Sequence, residues 1–407
     1  MAESLGVVHI RKMGFAKLKI AYFHQDGLIT GSAISLRNMI TGLDSSLFEA
    51  HIVIPNDGPV RSIWEEVGIK VHIVKFSTFW TSPGPSFFTR SNLKQYRSIF
   101  SNKNIKSFVN NLKPDIIHIN DKAAIQVGIS LRKCGIPIIQ HSRSAYHLTK
   151  AKTNKFLSSI IIKSYANHIL CISEDEMQGF ENMMNKTVLY NTVVLEEAEI
   201  AMRDRNLTRD MLGVKEKEIV IGMAENIGVH KGLLDFLKIA RLVLPTNKNL
   251  RFLLVGKIST TDSIEHKGSY CNSLEYLNDF IAKYDYQDKI ILTGYKPNPL
   301  NYIAAMDILI VSKAHGVLGR QPIEAQCTGT AVFAINGHSG KSKIIKNGCG
   351  GFLFDNLNQL IQSLNLILSD LPAIRNLGAN GKIYASKNFN PELYNKSLTD
   401  IYYNLIH

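Results

Sequence analysis

The sequence predicts an α/β protein made of two similar domains, each built on a doubly wound parallel sheet. Short apolar runs rich in β-branched residues, such as Leu18–His24 and Ile219–Glu225, are typical of strands buried on both faces. They alternate with segments whose apolar residues recur at helical spacing, and this alternation is typical of parallel sheets. The charged stretch Val194–Val214 contains few strand formers and interrupts the alternation. We therefore predict that this stretch is a linker and the lead-in to a second domain.

The composition is that of an ordinary globular protein. The 407 residues, 45% apolar and 20% charged, are enough for two or three domains with cores of their own. No apolar run reaches the ~18 residues that a membrane span needs, and the first residues lack the apolar core of a secretion signal. The five cysteines form no Cys-x-x-Cys pair, which favours a reducing compartment and argues against a structural zinc. The sequence therefore predicts a cytoplasmic protein.

The positive charge is concentrated in the first half of the chain. The net charge is +13, and residues 1–195 carry 23 basic and 13 acidic side chains, whereas the remainder carries 24 and 21. A one-sided basic surface attracts anionic lipid headgroups, polyphosphates or nucleic acid. The simpler interpretation is a solvated charged face, and both remain open.

The first domain is predicted to contain seven strands. They lie at Leu18–His24, Phe48–Ile54, Val71–Val74, Pro114–Asn120, Ile136–His141, His168–Ser173 and Thr187–Asn191. Helices are predicted at Ala33–Leu43, around Arg90–Leu112, and at Ala123–Lys133, Lys152–Asn167 and Glu174–Met184. Gly27 and Gly31 lie in the loop after the first strand, whose backbone can face an anion or form a plain tight turn. His141, Arg143 and His147 follow the fifth strand, at the sheet edge where ligands of open α/β sheets bind.

The second domain repeats the alternation. Strands are predicted at Ile219–Glu225, Arg251–Lys257, Lys289–Tyr295, Met306–Lys313 and Thr330–Ile335. Helices are predicted at Leu233–Val243, Ser273–Tyr284, Asn298–Ala305, Pro322–Cys327, Leu357–Ser369 and Pro391–Ile406, with a Gly-rich turn at Lys346–Phe354. We place the domains at residues 1–195 and 196–388, with a terminal helix at 389–407.

One stretch of the second domain is suited to binding an anion. A loop with Gly316 and Gly319 leads into a helix that has Pro322 in its first turn, where a missing N–H costs little. The N–H groups and positive dipole end of such a helix favour a phosphate. Arg320 adds a cation, and Glu324 adds a carboxylate one turn later.

The motifs of the second domain resemble those of glycosyltransferase family 4, the retaining "glycosyl transferases group 1". Lys231-Gly232 matches the Lys-Gly of the family's diphosphate-gripping loop, but Asn226 stands where the family has an arginine. ILTGYKPNPLNYIAAMDILIVS matches the run before the family's signature loop, with Asp307 at its Asp position. In GVLGRQPIEA, Gly319-Arg320 matches a Gly-Arg variant of that loop and Glu324 is the second signature glutamate.

The resemblance covers about residues 18–406 and implies a fold. It implies GT-B, with two Rossmann-like doubly wound domains facing a cleft. The first domain is then acceptor-binding, the second binds the nucleotide sugar, and the last helix crosses back to the first domain. Gly316 replaces the first signature glutamate. With Asn226, this is a departure from the family pattern.

The resemblance also implies roles for particular residues. Lys231 and Arg320 would stabilise the departing diphosphate, Glu324 would hold the donor ribose, and His141 would lie beside the donor sugar as a fourth catalytic candidate. Each has a plainer alternative: a surface lysine, a structural ion pair, a solvated first-turn glutamate and a structural histidine. The donor-binding candidates are Gly31, Ser32, Asn226, Lys231, Gly316, Gly319, Arg320 and Glu324. Arg143 and His147 are candidates on the acceptor side.

We therefore expect transfer of a sugar from a nucleotide-diphosphate sugar to a glycan or lipid-linked acceptor with retention, in bacterial surface polysaccharide synthesis. No metal or other cofactor is expected, because lysine and arginine supply the positive charge and the sequence has no Asp-x-Asp loop in the cleft. The basic first domain suggests peripheral association with the inner, anionic face of the cell membrane. The alternative is a catalytically degenerate GT-B subunit that stabilises or regulates an active transferase. A nucleic-acid partner is not expected, since no binding module is recognisable.

Overall fold

A computed structural model describes residues 17–78, 103–143, 152–266, 268–313, 319–337 and 339–407. The chain forms two compact units. The first unit is Met1–Tyr190 together with Glu392–His407, and the second unit is Asn191–Pro391. The first unit is therefore discontinuous in sequence, because its last helix follows the whole of the second unit.

The first unit is built on a parallel sheet in which seven strands are described. They are β1 (Leu18–His24), β2 (Phe48–Ile54), β3 (Lys70–Ile73), β4 (Ile116–Asn120), β5 (Ile138–Ser142), β6 (His168–Cys171) and β7 (Lys186–Val188). Their order in the sheet is β3-β2-β1-β4-β5-β6-β7. The order reverses between β1 and β4, and such a switch point opens a crevice at the carboxyl ends of the strands. We call that side of a sheet its carboxyl edge.

The helices of the first unit flank this sheet and include the end of the chain. They are α1 (Gly31–Thr41), α2 (Val60–Glu65), α3 (Lys103–Leu112), α4 (Ile125–Leu131), α5 (Lys152–Lys163) and α6 (Glu174–Met177). Helix α16 (Pro391–Ile406) joins them in the same unit. Its residues Leu398 and Tyr402 are completely buried in a core cluster with Ile20 of β1 and Leu36 of α1. Burying a side chain such as Leu398 contributes about 1.5–3 kcal/mol, so α16 is part of the first unit's core.

The second unit has a parallel sheet with six described strands. They are β8 (Ile219–Ala224), β9 (Leu250–Val255), β12 (Ile290–Gly294), β13 (Ile308–Val311), β14 (Ala331–Ile335) and β15 (Gly351–Phe354). The order is β12-β9-β8-β13-β14-β15, and a small antiparallel hairpin, β10 (Ile264–His266) and β11 (Ser269–Cys271), stands apart from it. The helices are α7 (Leu195–Arg203), α8 (Arg205–Met211), α9 (Leu233–Val243), α10 (Ser273–Tyr284), α11 (Leu300–Ala305), α12 (Gln321–Cys327), α13 (Ser339–Ile344), α14 (Leu357–Ile367) and α15 (Leu371–Asn388).

The stretch predicted to be a linker is helical. It forms α7 and α8, with Ala198 and Ala201 buried. Arg205 and Arg209 of α8 form ion pairs with Asp307, at 2.7 and 3.1 Å. The charge of this stretch suggested a linker, but the good helix formers Leu, Ala, Glu, Met and Arg dominate it and favour helix.

Two further differences involve glycines. Helix α15 was not predicted, because Gly378 and Gly381 lie within it and glycine disfavours helix interiors. The packing requires these glycines, since a Cβ at Gly378 would overlap the carbonyl oxygen of Gly329. The predicted helix Glu174–Met184 ends at Met177, shortly before Gly179 with φ 97°. Of the predicted basic helices around Arg90–Leu112, the part before residue 103 lies outside the described residues, and the remainder forms α3.

Within the described ranges, no helix combines the length and the apolar character needed to cross a bilayer.

Candidate functional site

In the second unit, a lysine and a glutamate meet at the carboxyl edge. Strand β8 ends at Ala224, and Glu225 follows it directly. A 3-10 turn, Val229–Lys231, then brings Lys231 back toward the strand end. Lys231 Nζ lies 2.9 Å from Glu225 Oε2, and the two side chains are 27% and 15% exposed. Burial raises the pKa of Glu225, and the charge of Lys231 opposes this rise. The ammonium group of Lys231 is therefore held in a defined position.

The turn between Lys231 and helix α9 requires a glycine. Gly232 has φ 92°, in the left-handed region that residues with a Cβ avoid. A Cβ there would overlap Ser312 Oγ, and would lie 3.1 Å from the backbone nitrogen of Lys313. Ser312 Oγ donates a hydrogen bond of 2.8 Å to the Gly232 carbonyl oxygen. The Lys-Gly motif is thus a lysine placed by a tight, glycine-dependent turn.

Two more lysines follow neighbouring strands at this edge. Lys313 comes two residues after β13, and its pKa is lowered first by burial and then by the charge of Lys231. Lys341 of α13 is buried, and its Nζ donates hydrogen bonds to the carbonyl oxygens of Lys313 (2.5 Å) and Ile335 (2.7 Å). Lys341 therefore connects the ends of β13 and β14. Together with Lys231, these side chains make the surroundings of Glu225 positive.

Arg320 and Glu324 pair with each other at the start of α12. Arg320 Nη1 lies 3.0 Å from Glu324 Oε1, and Glu324 is buried, whereas 19% of the Arg320 side chain is exposed. Gly319 precedes Arg320 and is half-buried. Gly316 lies outside the described residues. The structure thus brings two predicted catalytic candidates together as an ion pair within one helix turn.

Asn226 and Asp307, also singled out by motif, lie in different surroundings. Asn226 follows Glu225 and is exposed. Asp307 precedes β13, at the opposite edge of the sheet, and is paired with the two arginines of α8. It also accepts a hydrogen bond of 2.8 Å from the backbone N–H of Val220. Asp307 therefore anchors α8 to the sheet.

In the first unit, Gly31 and Ser32 form the first turn of α1. Thr30 caps this helix, since its Oγ1 accepts a hydrogen bond from the Ala33 N–H. Ser32 Oγ lies 3.0 Å from Thr30 Oγ1 and 3.3 Å from the amide nitrogen of Gln25. The Gly-Ser pair therefore lies at a capped helix N-terminus beside the end of β1.

His141 lies near the end of β5 and is completely buried. Its Nδ1 lies 3.2 Å from His118 Nε2 of the neighbouring strand β4. Its Nε2 has no hydrogen-bond partner among the described residues. The pKa of His141 is well below its usual value, first because of burial and then because of the positive charge of Arg143. The imidazole is therefore neutral at physiological pH, with one nitrogen unpaired.

Arg143 is also buried, at the end of the same strand. Its Nε donates a hydrogen bond of 2.6 Å to Asn120 Oδ1, and the amide nitrogen of Asn120 lies 2.9 Å from His24 Nδ1. Arg143 also hydrogen-bonds the side chain of Tyr394 in α16. These contacts fix the guanidinium group within the first unit. The other acceptor-side candidate, His147, lies outside the described residues.

Glu176 of α6 is a titratable group that motif reasoning did not identify. It is completely buried near the end of β6 and accepts a hydrogen bond from Ser173 Oγ. Its Oε1 has no partner in the described part of the chain. Burial raises its pKa to about 7, so its protonation changes near physiological pH.

Some of these residues were accessible to sequence reasoning. Glu225 and Lys313 are the last residues of the predicted strands Ile219–Glu225 and Met306–Lys313, and the ends of parallel strands share one sheet edge. His118 and Tyr402 gave no such signal, because they are 284 positions apart and meet only in the folded unit. Among the described residues, no group of three or more His, Cys, Asp or Glu side chains is placed to hold a metal ion.

Comparison with known families matches both halves of the chain. The family described as "Glycosyl transferases group 1" matches residues 204–384. The family described as "Glycosyltransferase Family 4" matches residues 29–197. The two matches are adjacent and together span most of the chain.

Individual relatives are distant. An N-acetylgalactosamine-N,N'-diacetylbacillosaminyl-diphospho-undecaprenol 4-alpha-N-acetylgalactosaminyltransferase of Campylobacter jejuni is 23% identical over 334 residues, covering 79% of this chain and 83% of that protein. The lipopolysaccharide core biosynthesis mannosyltransferase LpsB of Rhizobium meliloti is 22% identical over 207 residues, covering 50% of this chain and 56% of that protein.

Among solved structures, Alr3699/HepE of Anabaena, in complex with UDP and glucose, superimposes with a TM-score of 0.76 at 18% identity. The match covers 95% of this chain and 100% of that one. This likeness confirms the predicted fold class, two Rossmann-like parallel-sheet domains of the GT-B type. With both family matches, it shows that the chain belongs to the family 4-like glycosyltransferases.

Proposed function

We propose that the protein transfers a hexose from a uridine-diphosphate sugar to a glycan or lipid-linked acceptor, with retention of the anomeric configuration. The observation that carries this proposal is the lysine cluster at the carboxyl edge of the second sheet, in which Glu225 holds Lys231 beside Lys313. The choice of nucleotide draws on the Anabaena structure, which was obtained with UDP and glucose. The setting, bacterial surface polysaccharide synthesis, draws on the activities of the Campylobacter and Rhizobium relatives.

The chemical task is to stabilise negative charge on a departing diphosphate. As the bond from the anomeric carbon to the diphosphate oxygen breaks, the acceptor oxygen bonds to that carbon and gives its proton to the departing diphosphate. In this proposal Lys231 and Lys313 neutralise the charge that develops on the diphosphate. Lys313 then supplies a cation in place of the arginine that Asn226 has replaced. Glu324 holds the donor ribose as a charged acceptor of hydrogen bonds, and Arg320 orients the carboxylate of Glu324.

Residues of the first unit would contribute separately. The backbone N–H groups of Gly31 and Ser32, at the capped start of α1, are suited to an anion of the donor. His141 is the candidate contact to the donor sugar. We propose that Arg143, which Asn120 and Tyr394 hold in place, is a fixed group on the acceptor side.

The test is transfer by the purified protein from a panel of UDP-sugars, with Lys231→Ala as the main variant. Removing one preorganised donor to a developing oxyanion typically lowers kcat about 100-fold or more, and we expect a loss of this size. Lys248→Ala is the matched control, because Lys248 is an exposed lysine of the same unit that precedes β9 at the opposite edge. Glu324→Ala should mainly raise the KM for the donor. Normal turnover in both site variants would refute the assignment.

A catalytically degenerate subunit is the second candidate. It is favoured by Asn226 and Gly316, which stand where the family has an arginine and a glutamate. In that case UDP or a UDP-sugar raises the Tm of the protein, while neither transfer nor donor hydrolysis is detected with any acceptor. Lys313→Ala separates the two candidates. In an active enzyme it lowers kcat, whereas in a degenerate subunit neither the wild type nor the variant shows turnover.

The lipid-linked acceptor would bring the protein to a membrane surface. We propose that the basic first unit binds anionic lipids there. Flotation with vesicles containing anionic lipid should recover more protein than flotation with neutral vesicles, and added salt should abolish the difference. Equal recovery from both vesicle types at moderate salt would contradict this part of the proposal.

A further inference from the structure

A chain of four buried side chains connects the carboxyl-terminal helix to His141. Tyr22 and Tyr402 place their hydroxyl oxygens 3.1 Å apart. The Tyr402 hydroxyl lies 2.9 Å from His118 Nδ1, and His118 Nε2 lies 3.2 Å from His141 Nδ1. All four side chains are 0% exposed and belong to the first unit. We call this series of three hydrogen bonds the relay.

The relay permits two proton arrangements. Burial lowers the pKa of both histidines well below the usual value, and the charge of Arg143 lowers it further. Each ring is therefore neutral and carries one N–H. In the first arrangement protons point from Tyr22 toward His141, so His141 is protonated on Nε2. In the second they point the other way, so His141 is protonated on Nδ1.

The two arrangements leave different groups unpaired. The second leaves the hydroxyl proton of Tyr22 without an acceptor among the described residues, inside the apolar cluster that contains Ile20 and Leu36. An unsatisfied buried donor costs about 1–3 kcal/mol, and nothing that binds the protein relieves that cost. The first arrangement instead places the unpaired donor on His141 Nε2, near the end of β5, at the sheet edge where ligands bind. An oxygen of a ligand can satisfy it there. The second arrangement in addition leaves His141 Nε2 as an acceptor without a partner among the described residues, so the first arrangement has one unpaired group fewer.

We propose that Tyr402, acting through His118, is a positioning residue that fixes His141 as the Nε2–H tautomer, so that His141 donates a hydrogen bond to a hydroxyl oxygen of the donor sugar. The tautomer itself follows from the relay alone, and only the identity of the acceptor oxygen rests on the proposed function. His141 then orients the sugar without removing or supplying a proton.

The first measurement needs no substrate. In protein labelled with ¹⁵N in its histidine rings, protonated and unprotonated ring nitrogens resonate in separate ranges, and loss of a signal in His141→Gln assigns His141. We expect Nε2 of His141 to be protonated in the wild type. Tyr402→Phe removes only the hydroxyl, and should shift part of the His141 population to Nδ1–H. Tyr403→Phe, on the next residue of α16 and outside the relay, should leave it unchanged. A wild-type His141 protonated on Nδ1 would overturn the proposal.

The second measurement is a double-mutant cycle on transfer. Tyr402→Phe should lower kcat/KM about tenfold, the value of one hydrogen bond, and should have no further effect when His141 is already Gln. An equal loss in both backgrounds would show that the hydroxyl acts through stability alone and would overturn the positioning role. A relay seen by NMR in a chain that transfers no sugar would refute the proposed function and retain the tautomer assignment.

Discussion

Replacing Gly232 with alanine tests how the Lys-Gly turn is built. Gly232 has φ 92°, and its Cα faces Ser312 Oγ, which donates to the Gly232 carbonyl oxygen. Alanine at position 232 would introduce both backbone strain and an overlap with Ser312. The same change at Gly213 is a matched control, because Gly213 has φ 67° in the same unit but no atom within 4 Å of a built Cβ.

The two effects have separable magnitudes. A left-handed conformation costs a non-glycine residue roughly 1–2 kcal/mol, and this is the whole expected cost of Gly213→Ala. Overpacking adds about 1–3 kcal/mol, so Gly232→Ala should cost about 2–5 kcal/mol. For a unit of this size each kcal/mol lowers Tm by about 2–4 °C. The control should therefore lose a few degrees, and Gly232→Ala clearly more.

The assay is calorimetric unfolding, followed by donor titration of whichever variants remain folded. Because Lys231 adjoins the glycine, we expect Gly232→Ala to weaken donor binding as well, whereas Gly213→Ala leaves it unchanged. Equal Tm values for the two variants would refute the reasoning, since the contact with Ser312 would then contribute nothing. If Gly232→Ala is destabilised but binds the donor with unaltered affinity, the conformation of the turn does not determine donor binding.

Three further outcomes follow from the structure. Asp307→Ala should cost about 3–5 kcal/mol, because it leaves the buried cation Arg209 unpaired; a urea midpoint close to that of wild type would contradict the anchoring role. Glu176 favours its protonated form when folded, so its contribution to stability is fully present below pH ~4.5 and is lost as pH rises through about 7. Glu176→Gln should therefore gain up to about 3 kcal/mol relative to wild type between those pH values, and a difference in Tm that is constant with pH would exclude the shift. Transfer should persist in excess EDTA, since lysines carry the positive charge in the proposed site; loss of activity restored by a divalent cation would overturn metal independence.

The elements predicted well from sequence are those in which local pattern and tertiary packing agree. Helix α9 and helix α16 have the predicted bounds, because their apolar positions recur at helical spacing. Helix α15 shows the opposite case, since its glycines are required by contacts with Gly329 and Gly350, distant in sequence. No local pattern contains that information, so propensity alone predicts a break.

The candidate site likewise has residues that the sequence predicts and pairings that it does not. Short contiguous motifs contain Lys231, Arg320 and Glu324. Such motifs can be recognised in the sequence without knowledge of the fold. The motif does not show that Arg320 pairs with Glu324, nor that Glu225 pairs with Lys231. Those pairings depend on side-chain directions at a helix start and a strand end. The relay to Tyr402 depends on the path of the whole chain.

The discontinuous first unit has a consequence for how the protein is made. Its last core helix, α16, emerges from the ribosome only after all of Asn191–Pro391 has been translated. The core around Leu36 therefore stays open while the second unit, which is continuous in sequence, is free to fold first. A nascent or truncated chain that ends before α16 exposes the apolar surface that Leu398 and Tyr402 cover. We therefore expect chaperones and proteases to act most strongly on the first half of the chain, although that half is synthesised earliest.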